Sequence, residues 1–196
     1  MKLLQLLLVL LFLTQAVFAQ GLSEEITIKE TTRDVLEQLR QKRDKLQDEP
    51  ALIQQVVKQL IVPHFDFELM SELVMGSYWQ KFNDAERSCF VSGFRHLLVE
   101  RYAYILLSYD DHNISYDPVK DVGEAGYRLV RQTITRDGAK PLPIEYAMQQ
   151  SGEEWKVVDL IIDGISLVRA HRGMFQSRIH TQGNDYFIKS FPECNK

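Results

Sequence analysis

The sequence predicts an α+β fold: a single domain in which helices pack on a curved, four-stranded antiparallel sheet around an internal apolar cavity. Apolar residues recur at helical spacing to about residue 106, at strand spacing from about residue 110, and at helical spacing again from Ile165. The segment 155–168 is apolar on both faces of its strand, so both faces need an apolar cover. In a small protein, helices can supply one cover, and a bound apolar ligand can supply part of the other.

The N-terminus predicts a secretory signal peptide over residues 1–19 and a mature domain over residues 20–196. Lys2 precedes an apolar run from Leu3 to Leu13, and Val17 and Ala19 are small residues at the positions that signal peptidase reads. The run is shorter than the roughly 20 apolar residues of a spanning helix. The mature chain of about 177 residues keeps 22 basic and 27 acidic residues, a net charge of about −5. This charge argues against nonspecific binding to nucleic acid or anionic membranes.

The first half of the mature chain predicts four helices. A charged segment from Ser23 to about Gln47 predicts a surface helix, with residues 31–34 as a candidate cap of its main part. Apolar residues at helical spacing then run from Leu52 to Pro63, which stops the run. Asp66 caps a short helix that ends at Met75, and Asn83 or Asp84 opens the longest helix, the chief wall of the core.

Four strands follow. Their predicted bounds are 114–119, 127–135, 142–149 and 155–163. The pairs Asp137-Gly138 and Ser151-Gly152 supply the turns of an antiparallel meander. Gly164 serves a strand-to-helix turn, and Ser166 helps to cap a helix that extends to Thr181. A last short helix covers the region from Tyr186 to Phe191.

This order of elements carries a family resemblance. The sequence contains Gly76-Ser-Tyr-Trp79, then Arg87, Phe90, Phe94 and Leu98 at helical intervals, and the block from Trp155 to Asp163-Gly-Ile-Ser-Leu-Val168. It resembles the MlaC family, also called the toluene-tolerance Ttg2D proteins, from about residue 30 to about residue 191. The block from Trp155 to Val168 is the specific part of the match.

The resemblance implies a periplasmic phospholipid carrier that is not an enzyme, acts as a monomer and needs no cofactor besides its bound lipid. Such a carrier shuttles lipid between an outer-membrane lipoprotein–porin complex and an inner-membrane ABC transporter with an MCE-domain protein, and so maintains outer-membrane lipid asymmetry. The acyl chains would lie between the sheet and the helices. A two-chain lipid needs a pocket toward the upper end of the roughly 300 to 1,000 Å³ usual for ligands.

Two sets of residues are candidates for a functional site. The first is predicted to line the acyl-chain cavity and comprises Phe94, Leu98, Val130, Ile134, Ile144, Tyr146, Met148, Val157, Ile161, Ile165, Leu167, Val168 and Phe175. The second consists of the basic residues Arg128, Arg131, Arg169 and Arg172, which either form patches that dock acidic partners or contact a lipid phosphate, or are solvated surface residues.

Two other functions stay open at the level of the sequence. The α+β pattern also resembles the NTF2-like group, in which a small-molecule enzyme would use acid–base residues from among Asp159, Asp163, Tyr127, Tyr146 and His171. A polypeptide-binding periplasmic chaperone is the other alternative.

The five histidines lack metal-ligand spacing, and no metal site is expected. Cys89 and Cys194 form a disulfide or remain thiols, because their spacing does not decide between the two.

Overall fold

The computed structural model describes residues 23–49, 51–108, 113–123, 126–135 and 137–195. The predicted signal peptide lies outside this part of the chain. The helices are α1 (Glu24–Gln41), α2 (Arg43–Asp48), α3 (Leu52–Val56), α4 (Phe67–Met75), α5 (Asp84–Tyr102), α6 (Leu167–Gln182) and α7 (Asn184–Lys189). The strands are β1 (Asn113–Tyr116), β2 (Lys120–Val122), β3 (Tyr127–Thr135), β4 (Leu142–Ser151), β5 (Glu154–Ile162) and β6 (Ile165–Ser166).

The predicted α+β class is confirmed, and the sheet is antiparallel with the order β1-β3-β4-β5-β6. The first predicted strand corresponds to β1, which ends three residues earlier than expected, and β2 is a further short strand beyond the predicted end; both pair with β3. The interruption between them falls at residues 117–119, where Pro118 has no N–H to donate to the ladder. β6 is an additional two-residue strand that folds back on the end of β5.

Side-chain caps begin four of the helices. Asp66 accepts a hydrogen bond from the Leu69 backbone N–H at 2.9 Å at the start of α4, as predicted. Asn83 and Glu86 form a reciprocal capping box at the start of α5, also as predicted. The expected cap at residues 31–34 is wrong: Ser23 caps α1, and these residues lie inside the helix.

The chain changes helix type before Pro63. Residues 57–61 form a π-helical turn and residues 62–64 form a 3₁₀ turn. Pro63 has no backbone N–H, and its ring interferes with the carbonyl four residues earlier, so α-helical bonding does not continue there. The chain then runs beside β5, where the Asp66 N–H donates to the Val157 carbonyl at 3.0 Å.

A two-residue turn joins the sheet to α6. Asp163 and Gly164 both have positive φ, 49° and 81°, which is the conformation of a type I′ hairpin turn. The predicted strand-to-helix turn is therefore a β-hairpin turn between β5 and β6. The helix begins at Leu167, directly after the two residues of β6. Ser166 caps it, as expected, through a 3.0 Å hydrogen bond from the Arg169 backbone N–H.

The interior is divided into three apolar clusters. The largest joins α4, α5, α6, α7 and the C-terminal turn around Phe90, which contacts the rings of four other phenylalanines. The second joins α1, α2, α3, the π-helical turn and the end of α5. The third packs Ile28 of α1 against Val130, Met148 and Val157 of the sheet.

A disulfide fixes the C-terminus to α5. Cys89 and Cys194 are bonded, which settles the alternative that the sequence left open. One turn along α5, Gly93 approaches the C-terminal segment so closely that a Cβ atom would lie 2.7 Å from the Phe191 ring. Both contacts hold the C-terminal 3₁₀ turn (Pro192–Asn195) against α5.

In the described part of the chain, no helix is both long and apolar enough to cross a bilayer.

Replacement of Cys89 and Cys194 by Ser should lower the free energy of unfolding by about 2 to 5 kcal/mol, because the bond closes a loop between residues that are 105 positions apart. Urea unfolding of the oxidised protein and of the double variant measures the difference. The reduced wild-type protein should have the same urea midpoint of unfolding as the double variant. Equal midpoints for the oxidised protein and the variant would contradict a stabilising role.

Candidate binding cavity

A cavity of about 190 Å³ lies between α1 and one face of the sheet, which we call the inner face. Its walls also include the π-helical turn, the end of α5 and the 3₁₀ turn that follows it. The apolar lining residues are Ile28, Val35, Leu36, Leu39, Val57, Ile61, Val62, Phe65, Phe67, Leu98, Val99, Ala103, Ile105, Leu106, Ile114, Ile134, Ile144, Val157, Leu160, Ile162 and Leu167. The polar lining residues are Thr31, Thr32, His64, Tyr102, Gln132 and Tyr146.

A bulge in β5 decides which of its side chains reach the cavity. Asp159 pairs with Ala147 and Val157 pairs with Met148, so Val158 is an extra residue with no partner on β4. The alternation of side chains changes phase at this point. Val157 and then Leu160 and Ile162 line the cavity, and the intervening Asp159 and Ile161 do not.

Strict alternation along β5 would place Asp159 and Ile161 on the face of Val157, and the bulge places them on the opposite face. Asp159 is instead directed at the start of α6. Its carboxylate accepts hydrogen bonds from the Val168 backbone N–H at 3.0 Å and from the Ser166 hydroxyl at 2.5 Å. A carboxylate at a helix N-terminus is stabilised by the free N–H groups and by the helix dipole.

Six of the predicted cavity residues line the cavity: Leu98, Ile134, Ile144, Tyr146, Val157 and Leu167. Their role in binding stays a prediction. Seven others do not line it: Phe94, Val130, Met148, Ile161, Ile165, Val168 and Phe175. Phe94, Val168 and Phe175 belong to the helical cluster around Phe90, and Val130 and Met148 lie on the inner face but are covered by α1. Ile165 is 64% exposed because β6 is a short strand at the edge of the sheet.

The sequence prediction missed the contribution of α1 and the π-helical turn. Ile28, Val35 and Leu39 are buried at helical spacing, although α1 carries many charges and was expected to be a surface helix. That spacing was a usable signal, because a helix with one apolar stripe covers another element. The π-helical turn adds Val57 and Ile61, and such turns often occur at functional sites.

A small polar network crosses the cavity wall. The Thr32 hydroxyl of α1 donates to Gln132 Oε1 at 3.1 Å, and the Tyr146 hydroxyl donates to the same oxygen at 3.4 Å. Gln132 is buried on β3 with 3% exposure. Among the described residues that line the cavity, none is Lys, Arg, Asp or Glu. The wall is therefore apolar with a few neutral hydrogen-bonding groups and one histidine.

The four candidate arginines do not form one patch. Arg128 and Arg131 are three residues apart on a strand, so they point to opposite faces of the sheet. Arg128 bonds Glu24 of α1 at 2.7 Å and Asp121 at 3.0 Å. Arg131 is hydrogen-bonded to Glu145 at 2.8 Å through its Nε.

The two helical arginines also differ in their surroundings. Arg172 donates through its Nε at 2.8 Å to the Leu73 carbonyl, at the end of α4. This bond satisfies a carbonyl that has no partner inside the last turn of the helix. Arg169 is exposed, and its side chain has no bonded partner among the described residues.

The residues of the enzyme alternative are dispersed. Asp159 caps α6, and Asp163 lies in the exposed hairpin turn, 3.7 Å from Lys140. His171 is buried between the Phe94, Tyr102 and Phe175 rings. Of the five candidates only Tyr146 lines the cavity. No group of His, Cys, Asp and Glu side chains suited to a metal ion occurs within the described ranges.

A model of the protein family described as MlaC protein matches residues 29–193. The chain belongs to the MlaC family. The match covers both the helices and the sheet, and it includes all but one of the residues that line the cavity.

Individual relatives agree with this assignment. The toluene tolerance protein ttg2D of Pseudomonas putida is 26% identical over 160 residues, which are 81% of this chain and 74% of the relative. The intermembrane phospholipid transport system binding protein MlaC of Haemophilus influenzae is 21% identical over 169 residues, 85% of this chain and 79% of the relative. A phospholipid-binding protein from Ralstonia solanacearum, solved in complex with a phospholipid, has a TM-score of 0.76 at 26% identity, with 87% of this chain and 96% of that chain covered.

The stability of this MlaC-family protein should fall as the pH drops below about 6.5, the pKa of an unfolded histidine. Burial is the main cause that lowers the pKa of His171 in the fold, the nearby Arg101 charge also lowers it, and the hydrogen bond with the Leu167 carbonyl opposes both. The folded protein therefore resists the proton that the unfolded chain accepts. Burial also lowers the pKa of His64, so both residues act in the same direction.

Urea unfolding between pH 7.5 and 5 measures this dependence. His171→Phe should reduce the slope, because it removes the group whose pKa burial lowers. An unchanged slope in His171→Phe would show that another group is responsible.

Proposed function

We propose that this chain is a periplasmic phospholipid carrier that shelters acyl chains in the cavity between α1 and the sheet. The observation that carries the proposal is an apolar cavity without charged lining residues in the described chain, in a fold whose Ralstonia relative was solved with a phospholipid. The carrier would receive and deliver lipid at two complexes, an outer-membrane lipoprotein–porin complex and an inner-membrane ABC transporter with an MCE-domain protein. The name of the Haemophilus relative supports a place in such a system.

The physical need for a carrier follows from the hydrophobic effect. Exposure of one methylene to water costs about 0.8 kcal/mol, so a sixteen-carbon chain costs on the order of 12 kcal/mol. A dry cavity removes most of this cost. Because the chains leave one apolar environment for another, the net free energy of transfer stays small, and both loading and unloading are feasible.

The cavity must enlarge to hold a two-chain lipid. Its volume of about 190 Å³ lies below the expected size, which was the upper end of the roughly 300 to 1,000 Å³ range. We infer that α1 moves away from the sheet on loading. Its polar links to the sheet are few among the described residues: Glu24 to Arg128, Thr32 to Gln132, and Lys29 over the Tyr116 ring. These links, together with the packing of Ile28 on the inner face of the sheet, are the contacts that must separate.

The enzyme alternative has less support than the carrier. Its best acid–base candidate, Asp159, already accepts two hydrogen bonds at the start of α6. A reacting carboxylate would need access to the cavity.

Among the basic candidates, we propose Arg169 as a docking contact for an acidic partner, because its guanidinium is exposed and unpaired in the described chain.

The mature protein purified without detergent should carry about one phospholipid per chain. Native mass spectrometry, with organic extraction of the same sample, measures the bound material. Co-purified peptide instead of lipid would support the chaperone alternative. An empty protein that also fails to take up labelled phospholipid from vesicles would overturn the proposal.

Leu160→Glu should abolish uptake of phospholipid from vesicles, because it places a carboxylate in an apolar wall where an unpaired charge is costly. Thr133→Glu is the matched control, since Thr133 lies on the opposite face of the sheet beside Pro143 and Ser115. Circular dichroism checks that both variants fold. If Leu160→Glu does not fold, Thr31→Glu on the half-buried side of α1 replaces it. Normal uptake by folded cavity variants would exclude this cavity as the lipid site.

A further inference from the structure

Gln132 is an unusual residue for the middle of an apolar wall. It lies on β3 between Val130 and Ile134, lines the cavity, and is only 3% exposed. A buried amide group loses its hydrogen bonds to water, and this loss costs free energy unless protein or ligand groups replace them. An apolar residue at this position would fit the strand pattern and avoid that cost.

The hydrogen bonds of Gln132 are one-sided. Both the Thr32 and the Tyr146 hydroxyls donate to its Oε1, at 3.1 Å and 3.4 Å. Its Nε2 group carries two N–H donors. Among the described residues, both hydrogen bonds of this side chain are made by Oε1, and none is made by these donors. The Tyr146 bond lies within the sheet, between the neighbouring strands β3 and β4, so it holds the amide orientation also when α1 moves away, and the two donors stay beside the cavity.

The surrounding wall restricts what the amide can bind. No lysine or arginine in the described chain lines the cavity. His64 is the one ionisable imidazole in the wall, and burial lowers its pKa, which favours the neutral ring. A phosphate oxygen would bring an uncompensated negative charge into this wall, at a high desolvation cost. A neutral carbonyl oxygen accepts a hydrogen bond without that cost.

We propose that the Gln132 amide donates a hydrogen bond to an ester carbonyl of the cargo, so that the cavity selects acyl esters over ethers of the same chain length. The inference rests on the proposed function and names the chemical class of the lipid. The ester group is the neutral acceptor that lies closest to the hydrocarbon of a phospholipid, so it is the part that enters an apolar wall together with the tails. An ether oxygen is a poorer acceptor and has no carbonyl to offer.

A matched pair of lipids tests the proposal. Diester and diether phosphatidylcholines with identical chain lengths are titrated into delipidated protein, and the ratio of their Kd values is measured. Wild-type protein should favour the diester by roughly three- to ten-fold, the range of one neutral hydrogen bond. Gln132→Met should bring the ratio to about one, mainly by weakening diester binding. Gln149→Met, the same change on the opposite face of β4, should keep the wild-type ratio.

The outcomes separate the two proposals. If the wild-type protein binds neither lipid, the proposed function fails. If it binds both lipids with equal affinity, the carrier function stands and the role of Gln132 is overturned. A second measurement needs no variant: infrared spectra of bound diester with ¹³C-labelled carbonyls should show a carbonyl stretch shifted to lower frequency, as a hydrogen-bonded ester requires. A stretch typical of a free ester would also overturn the role of Gln132.

Discussion

The close packing of α4–α7 around Phe90 is the constraint on which the rest of the structure depends. A space of about 190 Å³ forgoes packing contacts, so the part of the interior between α1 and the sheet contributes less to stability than a filled core would. The disulfide between Cys89 and Cys194 adds stability on the helical side, because it closes a loop between residues 105 positions apart. The helical half thus supplies the stability that the half with the cavity gives up.

The bulge at Val158 separates two tasks of β5. Before and after it, side chains such as Val157 and Leu160 face the cavity. Because the phase changes, Asp159 lies on the other side and caps α6. If Val158 were paired and the alternation ran through it regularly, the Asp159 carboxylate would face the apolar wall and α6 would lose its cap. The position of α6 in turn brings Leu167 to the end of the cavity, so the bulge affects both the lining and the packing of the helix behind it.

The sequence predicted those parts of the fold that local chemistry decides. Asp66, Asn83 and Ser166 cap their helices where the pattern placed them, and the strands of the central meander begin within a residue or so of the expected positions. Features that depend on distant residues were not predictable. The bulge depends on pairing with β4, the exposure of Ile165 depends on its place at the sheet edge, and the ion pairs of Arg128 depend on Glu24, which is 104 residues away. Because α1 carries many charges, the sequence analysis did not recognise its apolar stripe as part of the cavity wall. The proposal that the cavity binds lipid came from the family resemblance.

The neutral wall of the cavity has a consequence for selectivity. A surface without formal charges in its described part cannot distinguish zwitterionic from anionic headgroups by Coulomb attraction, and salt has little to screen there. Discrimination by the wall is left to tail length, tail branching and the linkage between glycerol and tail. Any sorting by headgroup would therefore depend on residues outside this wall or on the partners of the protein.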